Sequence, residues 1–405
     1  MSILAVILAV LCGAVTLVWA SRHLMVWREA RHGFLLTADC PGPPDDPPPV
    51  SVMIAARNEE ECIERCVRTM LDQDYPNFEL VVCNDRSTDE TARLVERIAA
   101  DDDRLRLMNI TDLPDGWCGK NNAMQQGIAT TAGRWICMID ADCRQLSRRT
   151  LSTAVQYALD NRCDLLSVLP TLEMKTFWEY VVQPVASGVM MIWFHPDKVN
   201  DPAKTNAYAN GAFILIRRET YEAIGTHEAV KDCLNEDMHM ARLVKQAGLK
   251  LKVVRSEGLY LVRMYTSLRQ IVRGWSRIFF GTFGTLRRLA VSLAVVIVMG
   301  LLPYVGAALG LGVLAAGAPQ PAWPWWLLGV AGLAAAGMQL SLIARYYKLV
   351  AARPGLFWTY PIGSLVVIVA LIGSLTKLRR GATVVWKNTS YARQSPASSP
   401  GGREG

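Results

Sequence analysis

The stretch Arg134-Trp-Ile-Cys-Met-Ile-Asp-Ala-Asp-Cys143 decides the fold that we expect for this chain. Its apolar run, 135–139, predicts a strand that is buried on both faces. The run ends at two carboxylates, Asp140 and Asp142, with a small alanine between them. Open α/β sheets bind their ligands at the carboxyl ends of the strands, and paired carboxylates suit a hard cation such as Mg²⁺ or Mn²⁺. We therefore expect Asp140 and Asp142 to bind one of these metal ions.

The sequence on both sides of this stretch alternates between strand-like and helical patterns. β-rich runs at 50–56, 78–83 and 104–109 predict further strands, and a segment with helical spacing follows each of them. Short connections between such elements are typical of a parallel sheet that is covered by helices on both faces. The predicted fold class is therefore α/β.

The composition also indicates membrane segments, because 51% of the 405 residues are hydrophobic. An uncharged run at 2–20 is long enough to span about 30 Å of hydrocarbon, and we interpret it as an anchor. A cleaved signal peptide is the competing interpretation. Arg22, Arg28 and Arg31 follow the run closely, so the positive-inside rule predicts that the downstream side is cytoplasmic.

Three further apolar segments lie near the end of the chain. Residues 289–316 and 323–344 are long enough to span a bilayer, and 358–375 is a shorter third candidate. Three crossings after a cytoplasmic domain would place Lys377 and the basic residues after it outside, against the charge bias. A re-entrant or interfacial segment would remove the conflict, and the sequence leaves that choice open.

These patterns divide the chain into six parts. Arginines alternate with large apolar side chains at 265–288, as in a helix that lies at an anionic interface. The predicted parts are an N-terminal transmembrane anchor at 1–21, a juxtamembrane and proline-rich linker at 22–49, a catalytic domain at 50–264, the interfacial amphipathic helix at 265–288, C-terminal transmembrane segments at 289–376, and a basic, disordered tail at 377–405.

Charge and cysteine content narrow the possible partners. The formal net charge is +7, but no long basic stripe interleaved with aromatic residues is present, so we expect no nucleic-acid partner. A modest positive charge suits a protein beside an anionic membrane surface. The ten cysteines form no CxxC motif, and we interpret them as reduced thiols of a cytosolic domain.

Five ordered motifs resemble those of the family 2 inverting glycosyltransferases, whose domain has the Rossmann-like GT-A fold, a mixed sheet with helices on both faces. The motifs are Ala56-Arg-Asn-Glu-Glu60, Asn84-Asp-Arg-Ser-Thr-Asp89, Asp140-Ala-Asp142, Asn235-Glu-Asp237 and Gln270-Ile-Val-Arg-Gly-Trp275. The resemblance implies this fold, with one N-terminal and two or three C-terminal transmembrane helices around it.

The resemblance also implies roles for single residues. Asp237 would be the catalytic base, and Asp140 and Asp142 would hold the metal ion. The predicted nucleotide-sugar contacts are Arg57, Asp85, Lys120, Asp140, Glu236, Arg273 and Trp275. Alternatives stay open for some of them: Arg57 could instead pair with Glu59 or Glu60, and Asp85 could cap a turn.

The last motif departs from the family pattern, because Gly274 separates Arg273 from Trp275. On a helix, one extra residue turns the following side chain by about 100°. The departure puts a processive role in doubt. A contact between Arg273 and lipid headgroups is as consistent with the sequence as a contact with the diphosphate.

The function predicted from this resemblance is transfer of a sugar from a nucleotide-diphosphate donor, a UDP-sugar, to a lipid acceptor at the cytosolic leaflet. The overall arrangement resembles bacterial enzymes that glycosylate ceramide-like, hopanoid or carotenoid lipids. The expected location is the cell inner membrane, with several spans and a cytoplasmic catalytic domain. The alternatives are a processive polysaccharide synthase and a non-catalytic nucleotide-binding membrane scaffold.

Overall fold

A computed structural model describes residues 2–32, 34–378, 383–386 and 389–392 of the chain. Its main sheet has eight strands in the order β1-β10-β7-β9-β5-β2-β3-β4. These strands are β1 (Leu35–Thr37), β2 (Val50–Ala56), β3 (Phe78–Asp85), β4 (Leu105–Ile110), β5 (Trp135–Asp140), β7 (Leu165–Leu169), β9 (Phe213–Arg217) and β10 (Leu251–Glu257). A smaller sheet joins β6 (Cys143–Gln145), β8 (Thr171–Leu172) and β11 (Tyr260–Val262).

The helices between residues 60 and 250 pack around the main sheet, whereas the first helix and the helices after residue 280 are apolar. In chain order, the helices are α1 (Ser2–His32), α2 (Ile63–Leu71), α3 (Thr91–Ala99), α4 (Gly119–Ala129), α5 (Thr150–Asp160), α6 (Phe177–Trp193), α7 (Pro196–Asn200), α8 (Arg218–Ala223), α9 (Glu236–Gln246), α10 (Leu268–Phe283), α11 (Leu286–Val295), α12 (Leu302–Ala315), α13 (Trp323–Leu349) and α14 (Tyr360–Thr376). A π-helical segment, Val296–Leu301, joins α11 to α12.

The opening stretch forms the centre of the sheet, as its apolar run predicts. β5 is buried along 135–139 and pairs in parallel with β2 and antiparallel with β9. Separate hydrophobic clusters lie on the two faces of the sheet and include the inner faces of the covering helices. The predicted α/β fold with a mixed sheet and helices on both faces is confirmed.

Strand direction places the functional residues. β2, β3 and β5 are parallel neighbours, so their carboxyl ends, next to Arg57, at Asp85 and at Asp140, lie along one edge of the sheet. β9 runs the opposite way beside β5, with Phe213 opposite Ile139. The residues that precede β9 therefore reach the same edge.

Four helices among the described residues are long and apolar enough to cross a membrane. They are Ser2–Trp27, Leu286–Ala315, Trp323–Leu349 and Pro354–Thr376. The sequence predicts one N-terminal span and two or three C-terminal spans. The described residues contain one N-terminal candidate and three C-terminal candidates. α10, within the predicted interfacial part, buries one face, which includes Ile271, Trp275 and Phe279, and ends at Gly284, whose φ is 63°.

The structure also bears on the predictions for the cysteines and for the C-terminal tail. All ten cysteines are free, as their spacing predicts. Within the predicted tail, 377–405, the structure describes residues 377–378 and a two-stranded antiparallel ladder of β12 (Thr383–Trp386) and β13 (Thr389–Ala392). The rest of the predicted tail, which includes Arg379, Arg380 and the stretch 393–405, lies outside the described residues.

Candidate active site

Lys120 forms ion pairs with two acidic side chains at the carboxyl edge of the sheet. Its Nζ lies 2.7 Å from Asp140 Oδ1 at the end of β5 and 2.7 Å from Glu236 Oε1 at the start of α9. Lys120 is the second residue of α4, so a helix N-terminus also points to this place. Three residues that are far apart in sequence therefore meet at one edge.

Asp237 joins this group through Gly211. The Gly211 N–H donates to Asp237 Oδ2 over 2.9 Å, and the Met238 N–H donates to Oδ1 over 2.7 Å. A Cβ built on Gly211 would lie 3.2 Å from Lys120 Nζ, 3.5 Å from Asp237 Oδ2 and 3.7 Å from Asp140 Oδ2. The missing side chain at Gly211 thus leaves a small space that three charged groups face.

Burial and charge shift the pKa values in this group. Burial and the charge of Glu236 raise the pKa of Asp237 to about 7, against the opposing effects of Lys120 and two backbone N–H groups. Burial acts to lower the pKa of Lys120, but the carboxylates of Asp140 and Glu236 hold that pKa well above its usual value. A general base works best when its pKa lies near the working pH, and Asp237 meets that condition.

The side chain of Asp142 fits a cation. Its Oδ1 is buried and has no hydrogen-bond partner among the described residues. Burial and the negative charges of Asp140 and Glu59 raise the pKa of Asp142 to about 7. A nearby cation would satisfy this oxygen and relieve the repulsion between the two aspartates.

Few of the described side chains near Asp142 could bind a metal ion. No group of three or more His, Cys, Asp or Glu side chains in the described part of the chain is arranged to hold a metal ion. Mg²⁺ is usually bound by one or two carboxylates together with water and substrate phosphates. Asp140 and Asp142 match that donor set, so the residues present fit a metal ion that is bound together with a diphosphate.

Asp85 lies at the end of β3 and is held by two arginines. Arg86 Nε is 2.8 Å from its Oδ1, and Arg57 Nη1 is 3.9 Å from its Oδ2. Gly119 packs directly on this carboxylate, since a Cβ there would overlap Asp85 Oδ2. Because Lys120 follows Gly119, the start of α4 connects the Asp85 carboxylate to the group around Asp140.

The α10 helix lies against the start of α9. Asn235, which precedes Glu236 and Asp237, donates from Nδ2 to Thr282 Oγ1 over 3.0 Å. Gly281 lets α10 approach, because a Cβ there would overlap the Asn235 side chain. The acidic residues at the start of α9 are thereby positioned by a helix that continues into the apolar C-terminal part.

Residues 51–225 match the family model described as glycosyl transferase family 2. The chain contains a glycosyl transferase family 2 domain. Asp85, Lys120, Asp140, Asp142 and Gly211 lie inside the matched range of this domain, and Asp237 lies just beyond it.

Two known proteins illustrate what the family 2 domain is similar to. The 4,4'-diaponeurosporenoate glycosyltransferase of Staphylococcus aureus is 28% identical over 231 residues, which are 56% of this chain and 60% of the relative. The chain therefore matches less than two thirds of that relative's length. A mannosyltransferase from Pyrobaculum calidifontis, solved in complex with GDP-Man and Mn²⁺, superimposes with a TM-score of 0.53 at 19% identity over 91% of this chain and 100% of that chain. This likeness confirms the predicted GT-A-like fold.

Two predicted donor contacts, Arg273 and Trp275, lie on α10, beyond the matched range 51–225. The Trp275 indole is buried, and its Nε1 donates to Gln183 Oε1 of α6 over 2.7 Å. Arg273 is exposed on α10. Gly274 lies between them under the Tyr265 ring, where any Cβ would overlap the tyrosine.

Two features of the site have no clear signal in the sequence. Gly211 precedes β9, and its place between Lys120 and Asp237 depends on the antiparallel direction of that strand. His227 lines the small cavity behind Lys120 and Asp237, together with Met124, Met138 and other residues. Burial and the charge of Lys120 lower the pKa of His227 to about 3, so the imidazole there is neutral. A lone histidine in a loop gives no indication of such a position.

Proposed function

We propose that this protein is an inverting glycosyltransferase that transfers a sugar from a nucleotide-diphosphate donor to a lipid acceptor. The observation that carries the proposal is the convergence of Lys120, Asp140, Glu236 and Asp237 around the space above Gly211. A base, a cation and two further carboxylates within one small volume suit displacement of a diphosphate by a hydroxyl.

Asp237 would act as the general base. The acceptor hydroxyl loses its proton to Asp237 while its oxygen bonds to the anomeric carbon, and the bond from that carbon to the diphosphate breaks. The nucleoside diphosphate leaves with the electron pair. Since the oxygen attacks opposite the departing group, the configuration at the anomeric carbon inverts.

The donor would lie along the carboxyl edge of the sheet. Arg57 and Asp85 sit at the end that we assign to the nucleoside, and Lys120 sits where a phosphate would need a positive charge. Asp140 and Asp142 would hold Mg²⁺ or Mn²⁺, which when bound supplies positive charge to the departing diphosphate. A UDP-linked donor remains our proposal for the nucleotide.

The acceptor proposal rests on the apolar helices and on the relative that is named for 4,4'-diaponeurosporenoate. α10 contacts the start of α9 and leads into the apolar C-terminal helices, and we propose that this connection brings a membrane-bound acceptor to Asp237. Arg22, at the catalytic-domain end of α1, supports a cytoplasmic catalytic domain in the cell inner membrane.

The test is to incubate membranes that contain the protein with radiolabelled UDP-sugars and, in parallel, with GDP-mannose. We expect label in an organic-extractable product, lost on chelation of divalent metal and in the Asp237→Asn variant. Label only in insoluble polymer would instead support a polysaccharide synthase. Donor binding without any transfer to lipid or polymer would support a non-catalytic scaffold.

A further inference from the structure

The four apolar helices do not pack as one bundle. α1, α12 and α13 share a hydrophobic cluster, and Trp19 of α1 donates from Nε1 to the Met299 carbonyl over 3.3 Å. Glycines allow α12 and α13 to touch, since a Cβ on Gly310 would overlap the backbone of Gly329. These three helices form a compact unit whose contacts run along most of their length.

α14 packs instead on α6, on α10 and on the first half of the long helix Leu286–Ala315, where a Cβ on Gly300 would crowd the Ser364 side chain. Its buried residues Val367, Ala370 and Leu371 belong to the same hydrophobic cluster as the sheet and α6, not to the cluster of α1, α12 and α13. Gly363 lies against α6, where a Cβ would overlap the Val181 carbonyl. α14 therefore completes a layer with α6 and α10, and α10 also contacts Asn235 at the start of α9.

Both ends of α14 contact this layer. Near its start, Gly363 lies against the Val181 carbonyl of α6, and Tyr360 meets the Trp19 ring of α1 edge to face at 6.1 Å. The preceding helix, α13, also contacts α6, because Tyr346 Oη donates to the Pro184 carbonyl over 3.2 Å. At its end, Lys377 Nζ donates to Ser276 Oγ of α10 over 2.8 Å. A helix whose two ends lie on the same side of a bilayer does not cross it.

The length of the helix Leu286–Ala315 also indicates that α14 lies at the membrane surface, on the side of the catalytic domain. Its 30 residues extend about 45 Å, which exceeds the roughly 30 Å of hydrocarbon by about ten residues. The excess lies at its start, where Ser292 Oγ accepts from Trp193 Nε1 of α6 over 2.9 Å. The α1, α12 and α13 contacts begin near Met299, so the preceding part projects beside α14 on the catalytic side.

The exposed face of α14 is apolar. Leu365, Val369 and Ile372 are exposed by 53%, 55% and 47%, and their spacing places them on one side of the helix. We propose that α14 does not span the membrane but lies along the lipid–water boundary on the catalytic side, with these three side chains among lipid acyl chains. The occupant of this face is the bilayer, because the neighbouring helix Leu286–Ala315, a candidate membrane span, also exposes apolar side chains at Val291, Ile297 and Val298.

This arrangement removes the charge conflict that the sequence leaves open. If only α1, the long helix Leu286–Ala315 and α13 cross the membrane, the basic residues near the helix ends all lie on the side of the catalytic domain. These residues are Arg22, Arg345, Lys348 and Lys377. With four crossings, Lys377 would lie on the opposite side and away from Ser276. The positive-inside rule favours the first arrangement.

Topology reporters on the full chain test the proposal. Alkaline phosphatase or green fluorescent protein is fused after Gly405 in one series and inserted in the loop 317–321 in the other. We expect active phosphatase only at the loop and fluorescence only at the C-terminus. Reports of the same side from both positions would overturn the proposal. No catalytic residue is involved, so this outcome is separate from any failure of the proposed reaction.

A photocrosslinker tests the occupant of the face. Benzoylphenylalanine placed at Val369 should label radioactive phospholipid on irradiation of native membranes. The same group at Leu146, which is exposed by 50% on the catalytic domain, should not. A covalent dimer from the Val369 position would show a second copy on this face and would overturn the lipid assignment, as would equal lipid labelling at both positions.

Discussion

The Gly211 amide holds the Asp237 carboxylate, with 2.9 Å between Gly211 N and Asp237 Oδ2. The hydrogen bond comes from the turn before an antiparallel strand, which places a glycine where parallel neighbours end. The same glycine leaves open the space that Lys120 and Asp140 also face. Position 211 thus both orients the base and keeps room for the reacting atoms.

Gly211→Ala should therefore abolish transfer with little loss of stability. The added methyl would lie 3.2 Å from Lys120 Nζ, and a small shift of this flexible side chain relieves the contact, so the fold accommodates the methyl, but it occupies the reaction space. We expect kcat/KM to fall at least about 100-fold, since small misplacements of reacting groups have effects of this size. Transfer assays and thermal unfolding in detergent measure the two effects.

Gly312→Ala is the matched control, because a Cβ on Gly312 of α12 would meet no atom of the described residues within 4 Å. This variant should keep normal transfer. Wild-type transfer by Gly211→Ala would show that the reaction takes place elsewhere.

Asp237→Asn should lose transfer and keep donor binding. An asparagine can still accept from the Gly211 amide but cannot take a proton. Because burial and Glu236 raise the pKa of Asp237 to about 7, wild-type kcat/KM should fall about tenfold for each pH unit below 7. Pre-steady-state transfer and donor binding by calorimetry separate the two steps, and near-normal transfer by the variant would locate the base in another residue.

The raised pKa of Asp237 also predicts how the free energy of unfolding changes with pH. The pKa of an unfolded aspartate is about 4, so between about pH 4 and 7 the folded protein holds a proton that the unfolded chain has lost, and stability falls as pH rises. Asp237→Asn removes this cost, which is at most about 4 kcal/mol for a shift of about three pKa units. The variant should unfold at a higher temperature than the wild type at pH 8 and at about the same temperature at pH 4. Equal unfolding temperatures at both pH values would contradict the raised pKa.

Much of the site could be predicted because buried parallel strands bring the residues after them to one edge. Asp85 and Asp140 follow apolar runs directly, and Lys120 follows a glycine at a helix start, so their meeting needs only strand order and direction. Gly211 could not be found in this way, because the reversal of β9 leaves no trace in local periodicity. The placement of α14 was also beyond the sequence, since hydropathy reports length and polarity but not which side receives the two ends.

Asp142→Asn should separate donor binding from the metal ion. Asp142 Oδ1, which is buried and has no hydrogen-bond partner in the part of the chain that the structure describes, is the atom that a cation would satisfy. We expect chelation of divalent metal to weaken donor binding by the wild type at least tenfold and to have little effect on the variant, which binds donor weakly throughout. Asp112→Asn, at an exposed position, is the control. Equal sensitivity of both variants to chelation would place the metal ion at other residues.

Gly119→Ala tests the role of Asp85. The new Cβ would overlap Asp85 Oδ2, so the carboxylate must move away from the start of α4. If Asp85 binds the nucleoside, the donor KM should rise about tenfold or more while kcat changes less, and Asp85→Asn should behave similarly. If Asp85 only caps a turn, both variants should lower the unfolding temperature and leave the donor KM unchanged.

Trp275→Phe should act on stability rather than on the donor. The indole is buried between α10 and α6, and its Nε1–H donates to Gln183 Oε1 over 2.7 Å, so phenylalanine leaves a buried amide oxygen without a partner. Such a loss costs about 1 to 3 kcal/mol, and the smaller ring adds a cavity. The unfolding temperature should drop by several degrees while the donor KM stays at the wild-type value. Arg273→Gln, a change at an exposed position of the same helix, should leave the unfolding temperature unchanged. A raised donor KM for Trp275→Phe at unchanged stability would mean that the indole contacts the donor, as the sequence motif predicts.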